Sequence, residues 1–287
     1  MRGLTLSAIL LCGAASLGMT GSSVCAQDAV VSVGGPITEI IFALEEQDRL
    51  IARDTTSVYP PEALGLPDVG YMRRLSAEGV LSVGPDMIIA RDTSGPPEVL
   101  EQLQAASIPV VLVHDAFDPD AILSAIDTVG AALDVPAKAA ELSATVQADL
   151  DALAERRAEI TEKKRVIFVL SADAGRLNVA GRGTGADGLI TMAGGINAVA
   201  DGFDGYKLMN NEALLTANPD VVLMLAPRPG TDHSLTPADL QTHPGLLPTA
   251  AGAASAIRQV PAAALGFGPR TPALALALLE DMYGGAQ

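Results

Sequence analysis

Cysteine and aromatic residues are scarce in this chain, and each shortage excludes a class of site. The only two cysteines, Cys12 and Cys25, lie at the N-terminal end, before Gln27. Beyond them neither a disulfide nor a thiolate-bound metal can form, so any metal must be held by oxygen or nitrogen. The chain has no tryptophan and four tyrosines, and aromatic residues make up 3% of it. One tyrosine, Tyr71, lies only two positions before an arginine, Arg73.

Positive charge is also scarce, since 18 Lys and Arg residues face 34 Asp and Glu residues for a formal net charge of −16. A field of that sign opposes binding to nucleic acid and to anionic lipid. No run approaches the roughly 18 apolar residues that a membrane helix needs, so no membrane insertion is expected. The sequence also lacks G-x-S-x-G, H-E-x-x-H and paired histidines, so it offers no nucleophile and base for an enzyme.

The segment 1–26 has the three parts of a secretory signal peptide. Arg2 precedes an apolar run over residues 4–17, and Val24-Cys25-Ala26 forms a small-x-small cleavage site. Cleavage after Ala26 would leave 287 − 26 = 261 residues and export them to the periplasm. Lipid anchoring at Cys25 is the weaker alternative, because residues 22–24 lack the leucine and small-residue pattern that usually precedes an anchored cysteine.

Two parts of the chain repeat one pattern of strand, turn and helix. Residues 30–33 and 165–170 read as β-branched strands, and residues 37–52 and 185–200 read as amphipathic helices. The segments SAEGVLSVGPDMII (76–89) and NNEALLTANPDVVL (210–223) match at an offset of 134 in the numbering. Each predicts a capped short helix, a Pro-Asp turn and a buried strand. The chain is therefore interpreted as an internal duplication.

A long helix is predicted between the two copies, because Leu142, Val146, Leu150 and Leu153 recur at helical spacing without Gly or Pro after Pro136. The predicted organisation is a signal peptide (1–26), an N-terminal α/β lobe (27–135), a linking helix (136–164) and a C-terminal α/β lobe (165–287). The fold class is α/β, with two Rossmann-like lobes of parallel-type sheet and flanking helices. Ligands of such sheets bind at the carboxyl ends of strands, here in the cleft between the lobes.

Two segments carry a resemblance to a known family: DTTSVYPPEALGLPDVGYMRRLSAEGVLSVGPDMII (54–89) and GFGPRTP (266–272). With the rest of the chain after Ala26, they resemble the periplasmic haem-binding proteins of bacterial haem ABC importers. These belong to the helical-backbone class of substrate-binding proteins, which also carries cobalamin and siderophores. The resemblance implies that the chain transports haem b without catalysis, and that Tyr71 is the axial ligand of the ferric iron.

The chemistry of a tyrosine supports that role independently. Ferric iron is a hard cation that favours an anionic oxygen, and tyrosine is a haem ligand in other proteins. A free phenol has a pKa of about 10, so ligation requires a neighbour that stabilises the phenolate. Arg73 would point the same way as Tyr71 in an extended segment, and we expect it to support the phenolate. In the competing interpretation, Tyr71 packs between the lobes and Arg73 is solvated.

The resemblance also implies that arginines around the cleft hold the haem propionates, and Arg228 matches one of them. It lies in a proline-rich turn (226–230) that departs from the family pattern, so three roles stay open: propionate clamp, partner of the phenolate, or surface residue. Tyr206 and Met209 of the second lobe are predicted to cover the far face of the haem, with local packing as the alternative. Three other arginines at expected strand ends are further candidates, with a structural role as the favoured alternative: Arg53, Arg91 and Arg270.

Glu78 and Glu212 occupy matching positions in the repeat, each in the first turn of its helix. An acidic side chain there gains about 0.3–1 kcal/mol from the helix dipole. The resemblance implies a second role, because such binding proteins present one exposed glutamate per lobe to arginines of the permease. We therefore predict permease docking, with the ATPase as an indirect partner and an outer-membrane haem receptor as an upstream one. The chain is expected to act as a monomer.

Two competing functions follow from the same sequence. A cobalamin or ferric-siderophore binder of the same class would leave Tyr71 unligated. A secreted enzyme is disfavoured by the missing nucleophile and base. Residues 183–188 satisfy G-x-G-x-x-G before a helix, but the preceding strand ends well before them, so these glycines are interpreted as a tight turn and not as a dinucleotide site.

Overall fold

The computed structural model describes residues 29–227 and 235–284; the predicted signal peptide lies outside the described residues. The first lobe is a four-stranded sheet in the order β2-β1-β3-β4, and all its pairs are parallel. Its strands are β1 (Val30–Val33), β2 (Leu50–Arg53), β3 (Met87–Arg91) and β4 (Val110–Val113). Its helices are α1 (Gly35–Ala43), α2 (Ala77–Leu81), α3 (Pro97–Ala105) and α4 (Pro119–Ala132).

The linking helix α5 covers Pro136–Ala158, which is 23 residues or about 35 Å at 1.5 Å per residue. The helix ends before Lys164, and the chain then turns towards the C-terminal helix. There the Lys164 backbone N–H donates to the Tyr283 hydroxyl at 2.9 Å. Arg156 in the last helical turn also pairs with Glu280 at 2.8 Å. The four buried side chains of α5 are Ala139, Val146, Leu150 and Leu153.

The second lobe contains a mixed sheet in the order β10-β9-β5-β6-β8, with β7 also paired to β5. Its strands are β5 (Arg165–Asp173), β6 (Arg176–Ala180), β7 (Ile196–Asn197), β8 (Tyr206–Met209), β9 (Val221–Leu225) and β10 (Ile257–Val260). Its helices are α6 (Gly185–Met192), α7 (Asn211–Ala217), α8 (Pro237–Gln241), α9 (Ala250–Ala253) and α10 (Thr271–Tyr283).

The sheets are mainly parallel, as predicted, but the sequence reasoning missed an antiparallel extension in the second lobe. Strands β5 and β6 form a hairpin in which Asp173 pairs with Arg176. The loop between them consists of Ala174 and Gly175, whose φ values are 48° and 74°, as a type I′ turn requires. Strand β8 then adds to β6, also antiparallel.

The match between residues 76–89 and 210–223 is confirmed by the element boundaries, whereas the helices predicted over 37–52 and 185–200 end early, at Ala43 and Met192, and Leu50–Arg53 form β2. Helices α2 and α7 begin at Ala77 and Asn211, which keeps the offset found in the sequence, and β3 and β9 keep the same offset. The caps repeat as well, because the side chains of Ser76 and Asn210 each accept a backbone N–H from the third residue along. Each cap satisfies one of the free donors at its helix start.

The glycines at 183–188 serve backbone geometry and close packing. Gly183 has a φ of 72° at the turn before α6. A Cβ at Gly185 would collide with the Leu265 carbonyl oxygen. A Cβ at Gly188 would lie 2.5 Å from the Phe117 carbonyl oxygen and 2.6 Å from the Phe267 ring. The start of α6 therefore packs directly against the segment that precedes α4 in the first lobe.

One hydrophobic core runs through both lobes along the linking helix. It includes Ile41 of α1, Ile126 of α4, Leu150 of α5, Leu189 of α6 and Leu279 of α10. In the described part of the chain, none of the helices has both the length and the apolar character required to cross a bilayer.

Candidate functional site

A cavity of about 430 Å³ lies between the lobes at the carboxyl ends of β1, β2 and β3. We call it the interlobe cavity. Its volume is typical of small-molecule sites, which measure about 300–1,000 Å³. From the first lobe it is lined mainly by residues that follow the three strands, and from the second lobe by the short helical turn Ala262–Leu265 and Gly266. This is the position expected for a ligand of two α/β lobes.

Tyr71 lines the interlobe cavity and is 44% exposed. The backbone before it is held in place by Asp68, whose carboxylate accepts from the Gly70 N–H and from Arg53, both at 2.8 Å. The Gly70 carbonyl in turn accepts from the Thr55 N–H at 3.0 Å. Within the described residues no hydrogen bond to the Tyr71 hydroxyl is present, so the phenol oxygen is free to meet a ligand.

Arg73 also lines the cavity, but the expected extended geometry is wrong. Residues Met72–Arg74 form a 3₁₀ turn that begins after Tyr71, and side chains two apart in such a turn do not share a face. The turn forms because Met72 is buried and its carbonyl accepts from the Gly95 N–H at 2.9 Å. Arg73 is exposed, and it makes no ion pair with another described residue.

Arg91 supplies a second cation beside Arg73. Burial lowers the pKa of Arg91 to about 10, and the positive charge of Arg73 acts in the same direction. Arg91 also pairs with Asp115, and its guanidinium carbon lies 6.0 Å from the centroid of the Phe117 ring. At neutral pH the guanidinium therefore stays charged. Although a structural role was favoured for it from sequence, Arg91 lines the interlobe cavity.

Tyr206 approaches this group from the second lobe. It begins β8 and is 42% exposed. Burial raises the pKa of the Tyr206 phenol, Arg73 lowers it and Tyr71 raises it. Tyr206 is not among the residues that line the interlobe cavity, but it is close enough to Tyr71 and Arg73 of the first lobe to interact with them electrostatically. The raised pKa keeps its phenol neutral at physiological pH.

The structure does not bring Met209 to the interlobe cavity. Met209 is 8% exposed and packs in the core of the second lobe with Leu177 and Leu214. Residues three apart in a strand point to opposite faces, so Tyr206 and Met209 cannot cover the same ligand face. The remaining predicted site residue, Arg228, lies outside the described residues.

Glu78 and Glu212 lie at the second position of α2 and α7, and both are exposed. Neither carboxylate makes an ion pair within residues 29–227 and 235–284. The two lobes therefore present equivalent acidic side chains that remain available to an external partner.

A buried hydrogen-bond network beneath the cavity was not predicted. Asp54 is fully buried, and its carboxylate accepts from the Gly34 N–H at 2.9 Å and from the Ser57 hydroxyl at 2.7 Å. It also accepts from the N–H and the hydroxyl of Thr56, at 3.0 and 2.8 Å. Asp54 therefore shapes the loop that carries Thr55 and Thr56 to the cavity. The Asp-Thr-Thr-Ser run after a strand was the available signal.

Asp54→Asn is expected to lower the free energy of unfolding by about 2 kcal/mol, because the new amide donor faces N–H and O–H donors in a buried site. Urea unfolding followed by circular dichroism measures it. The matched control is Asp118→Asn at the exposed N-cap of α4, where asparagine caps as well as aspartate and the change stays within about 0.5 kcal/mol. Equal losses in both variants would contradict the role of Asp54.

Comparison with known protein families gives a match over most of the chain. The family model described as "Periplasmic binding protein" matches residues 30–264. The chain is 38% identical to the periplasmic heme-binding protein RhuT from Roseiflexus sp. RS-1, with a TM-score of 0.83, covering 91% of this chain and 99% of RhuT. It is 37% identical to the periplasmic heme-binding protein BhuT, whose structure is a complex with two hemes. The TM-score is 0.82, and the match covers 88% of this chain and 97% of BhuT.

More distant relatives have other descriptions. The chain is 29% identical over 198 residues to the ABC transporter substrate-binding lipoprotein YvrC of Bacillus subtilis, which is 68% of this chain and 62% of YvrC. It is 28% identical over 195 residues to the vitamin B12-binding protein of Vibrio parahaemolyticus, which is 68% of this chain and 70% of that protein. The solved structures are therefore both closer in sequence and more completely covered than these two relatives.

Proposed function

This chain belongs to the periplasmic binding protein family, and we propose that it captures ferric haem and delivers it to the permease of an ABC importer. The observation that carries the proposal is the 37–38% identity to two heme-binding proteins over about 90% of the chain. The cavity between the lobes supports it, because two tyrosines and two arginines line the space where such a ligand would lie.

Each cavity residue has a role in the proposal. Tyr71 is the axial ligand, because it lines the cavity and its hydroxyl has no hydrogen-bond partner among the described residues. Arg73 lines the same cavity and is proposed to lie near the bound tyrosinate, although the turn at Met72–Arg74 places the two side chains on different faces. Tyr206 packs over the opposite face of the haem as a neutral ring. Arg73 is the cation available to the two propionates, together with Arg228, while Arg91 lies beside Arg73 and is already paired with Asp115.

Delivery depends on the outer surface of the lobes. Glu78 and Glu212 are proposed to meet cations of the permease, one from each lobe, and the ATPase acts through that permease. A signal peptide over residues 1–26 would send the chain to the periplasm. Haem is the transported ligand in this proposal, so the protein does not convert it to another compound during capture and transfer.

Cobalamin is the second candidate ligand, because vitamin B12-binding proteins are among the relatives. Titration of the purified chain with hemin and, separately, with cyanocobalamin tests both. We expect that hemin binds and that its complex shows a Soret band, whereas cyanocobalamin does not bind. The hemin endpoint also gives the stoichiometry, which is of interest because BhuT holds two hemes. Tight binding of cyanocobalamin without binding of hemin would replace the proposed ligand.

A further inference from the structure

An arginine of the C-terminal region reaches across to the first lobe beside the interlobe cavity. Arg270, the residue before α10, donates to both carboxylate oxygens of Glu39 in α1, at 2.8 and 3.0 Å. Its guanidinium carbon also lies 3.2 Å from the centroid of the Tyr59 ring. Arg270 and Glu39 are 231 residues apart in sequence. One planar cation therefore holds two side chains of the opposite lobe in fixed positions.

These side chains form a wall between two cavities. Glu39 and Tyr59 line the interlobe cavity, and both also line a second pocket of about 620 Å³. The second pocket, which we call the side pocket, includes Arg270, Phe42 and Glu62. Arg270 lines the side pocket but not the interlobe cavity, so it supports Glu39 and Tyr59 from the side of the side pocket. Tyr59 thus shares the interlobe cavity with Tyr71 while its ring is held from the side pocket.

Arg270 is the ion-pair partner of Glu39. The Glu39 side chain is 10% exposed, and its pKa is raised because burial outweighs the opposing hydrogen bonds and charge of Arg270. Removing one partner of such a buried pair leaves the other charge uncompensated. Bidentate pairs between a guanidinium and a carboxylate also fix geometry more strictly than a single hydrogen bond. The contact is therefore well suited to setting a distance between lobes.

We propose that Arg270, Glu39 and Tyr59 form an interlobe clamp that fixes the separation of the two lobes at the cleft and holds Tyr59 as a wall of the ligand cavity. The second part rests on the proposed function, because it concerns retention of the ligand. The first part does not, because it describes the protein alone. Arg270 and Glu39 are positioning residues here, and Tyr59 is the residue that would touch the ligand.

A distance measurement between the lobes tests the first part. Ser82 and Thr216 are exposed and equivalent in the repeat, so spin labels on Ser82→Cys and Thr216→Cys report lobe separation by double electron–electron resonance. The labels are placed in the full chain with Cys12→Ser and Cys25→Ser. We expect one narrow distance distribution for the parent protein without hemin. In Arg270→Gln it should broaden and extend to longer distances.

Two further variants make this result interpretable. Arg270→Lys keeps the charge but loses the planar, bidentate geometry, so it should show an intermediate broadening even if Arg270→Gln folds poorly. Arg258→Gln removes an arginine that pairs with Asp281 at 2.7 Å within the C-terminal region and should leave the distribution unchanged. A distribution in Arg270→Gln and Arg270→Lys that equals the parent's would overturn the clamp.

The second part is tested by the rate at which bound hemin transfers to an excess of apomyoglobin. Loss of a charge-assisted pair should raise the release rate by about tenfold in Arg270→Gln, and Tyr59→Leu should produce a similar increase without changing the spectrum. Unchanged release from both variants would refute the wall role of Tyr59. Failure of the parent protein to bind hemin would refute the proposed function instead, while the distance measurement would still decide the clamp.

Discussion

Replacing Tyr71 by phenylalanine is expected to abolish the charge-transfer bands of ferric tyrosinate haem and to weaken hemin binding by about 100-fold or more. The magnitude follows from metal sites, where loss of a group that merely supports a ligand costs about 10–100-fold, so loss of the ligand itself should cost at least as much. Phenylalanine keeps the ring and removes only the oxygen. Absorption spectra and a hemin titration of the two proteins measure the change.

Two neighbouring residues provide the controls. Tyr206→Phe makes the same chemical change on the opposite side of the cleft and should leave the tyrosinate bands in place. Arg73→Gln keeps the proposed ligand but removes a nearby cation, so the bands should persist while affinity falls by a smaller factor. If Tyr71→Phe bound hemin with the parent's spectrum and affinity, or if Tyr206→Phe lost the bands instead, Tyr71 would not be the ligand.

The double variant Glu78→Ala, Glu212→Ala is expected to bind hemin normally and to fail in transport. Truncating one partner of a charge pair that is buried and hydrogen-bonded at a protein interface costs about 2–5 kcal/mol, and about 1.4 kcal/mol is a tenfold change in affinity. Losing both glutamates should therefore reduce uptake by well over tenfold at limiting binding protein. Hemin uptake into vesicles that contain the reconstituted cognate permease and ATPase provides the measurement.

Glu98→Ala is the matched control for docking. Glu98 is also exposed in the first turn of its helix, α3, but it lies outside the matched segments 76–89 and 210–223. Its substitution should change neither hemin binding nor transport. Full uptake by the double variant would exclude the docking role, and reduced hemin binding would show that the glutamates act on the fold of the lobes.

The sequence was sufficient to predict the repeat and a ligand cleft at the carboxyl ends of its strands. The constant offset between the two copies placed α2, β3, α7 and β9 correctly, because caps and apolar periods are local patterns. Sequence reasoning missed the hairpin between β5 and β6. The residues of β5, Arg165–Asp173, have the pattern of a strand, but that pattern does not indicate whether the partner strand runs parallel or antiparallel. The turn at Met72–Arg74 was missed because it depends on a hydrogen bond to Gly95.

Contacts between distant residues were beyond sequence reasoning. A structural role was favoured for Arg270, but nothing in the local sequence of Glu39 or Tyr59 indicates that they meet it. Met209 was assigned to the ligand because it lies near Tyr206 in sequence, yet the alternation of β8 turns the two apart. Such pairings become visible only once the lobes are folded against each other.

The close packing at Gly188 limits how the two lobes can move relative to each other. Because α6 touches the Phe117 backbone with no room for even a methyl group, the lobes cannot approach further at this point. Any closing of the cleft would have to turn about this contact, so the distance between the exposed carboxylates of Glu78 and Glu212 would change with it.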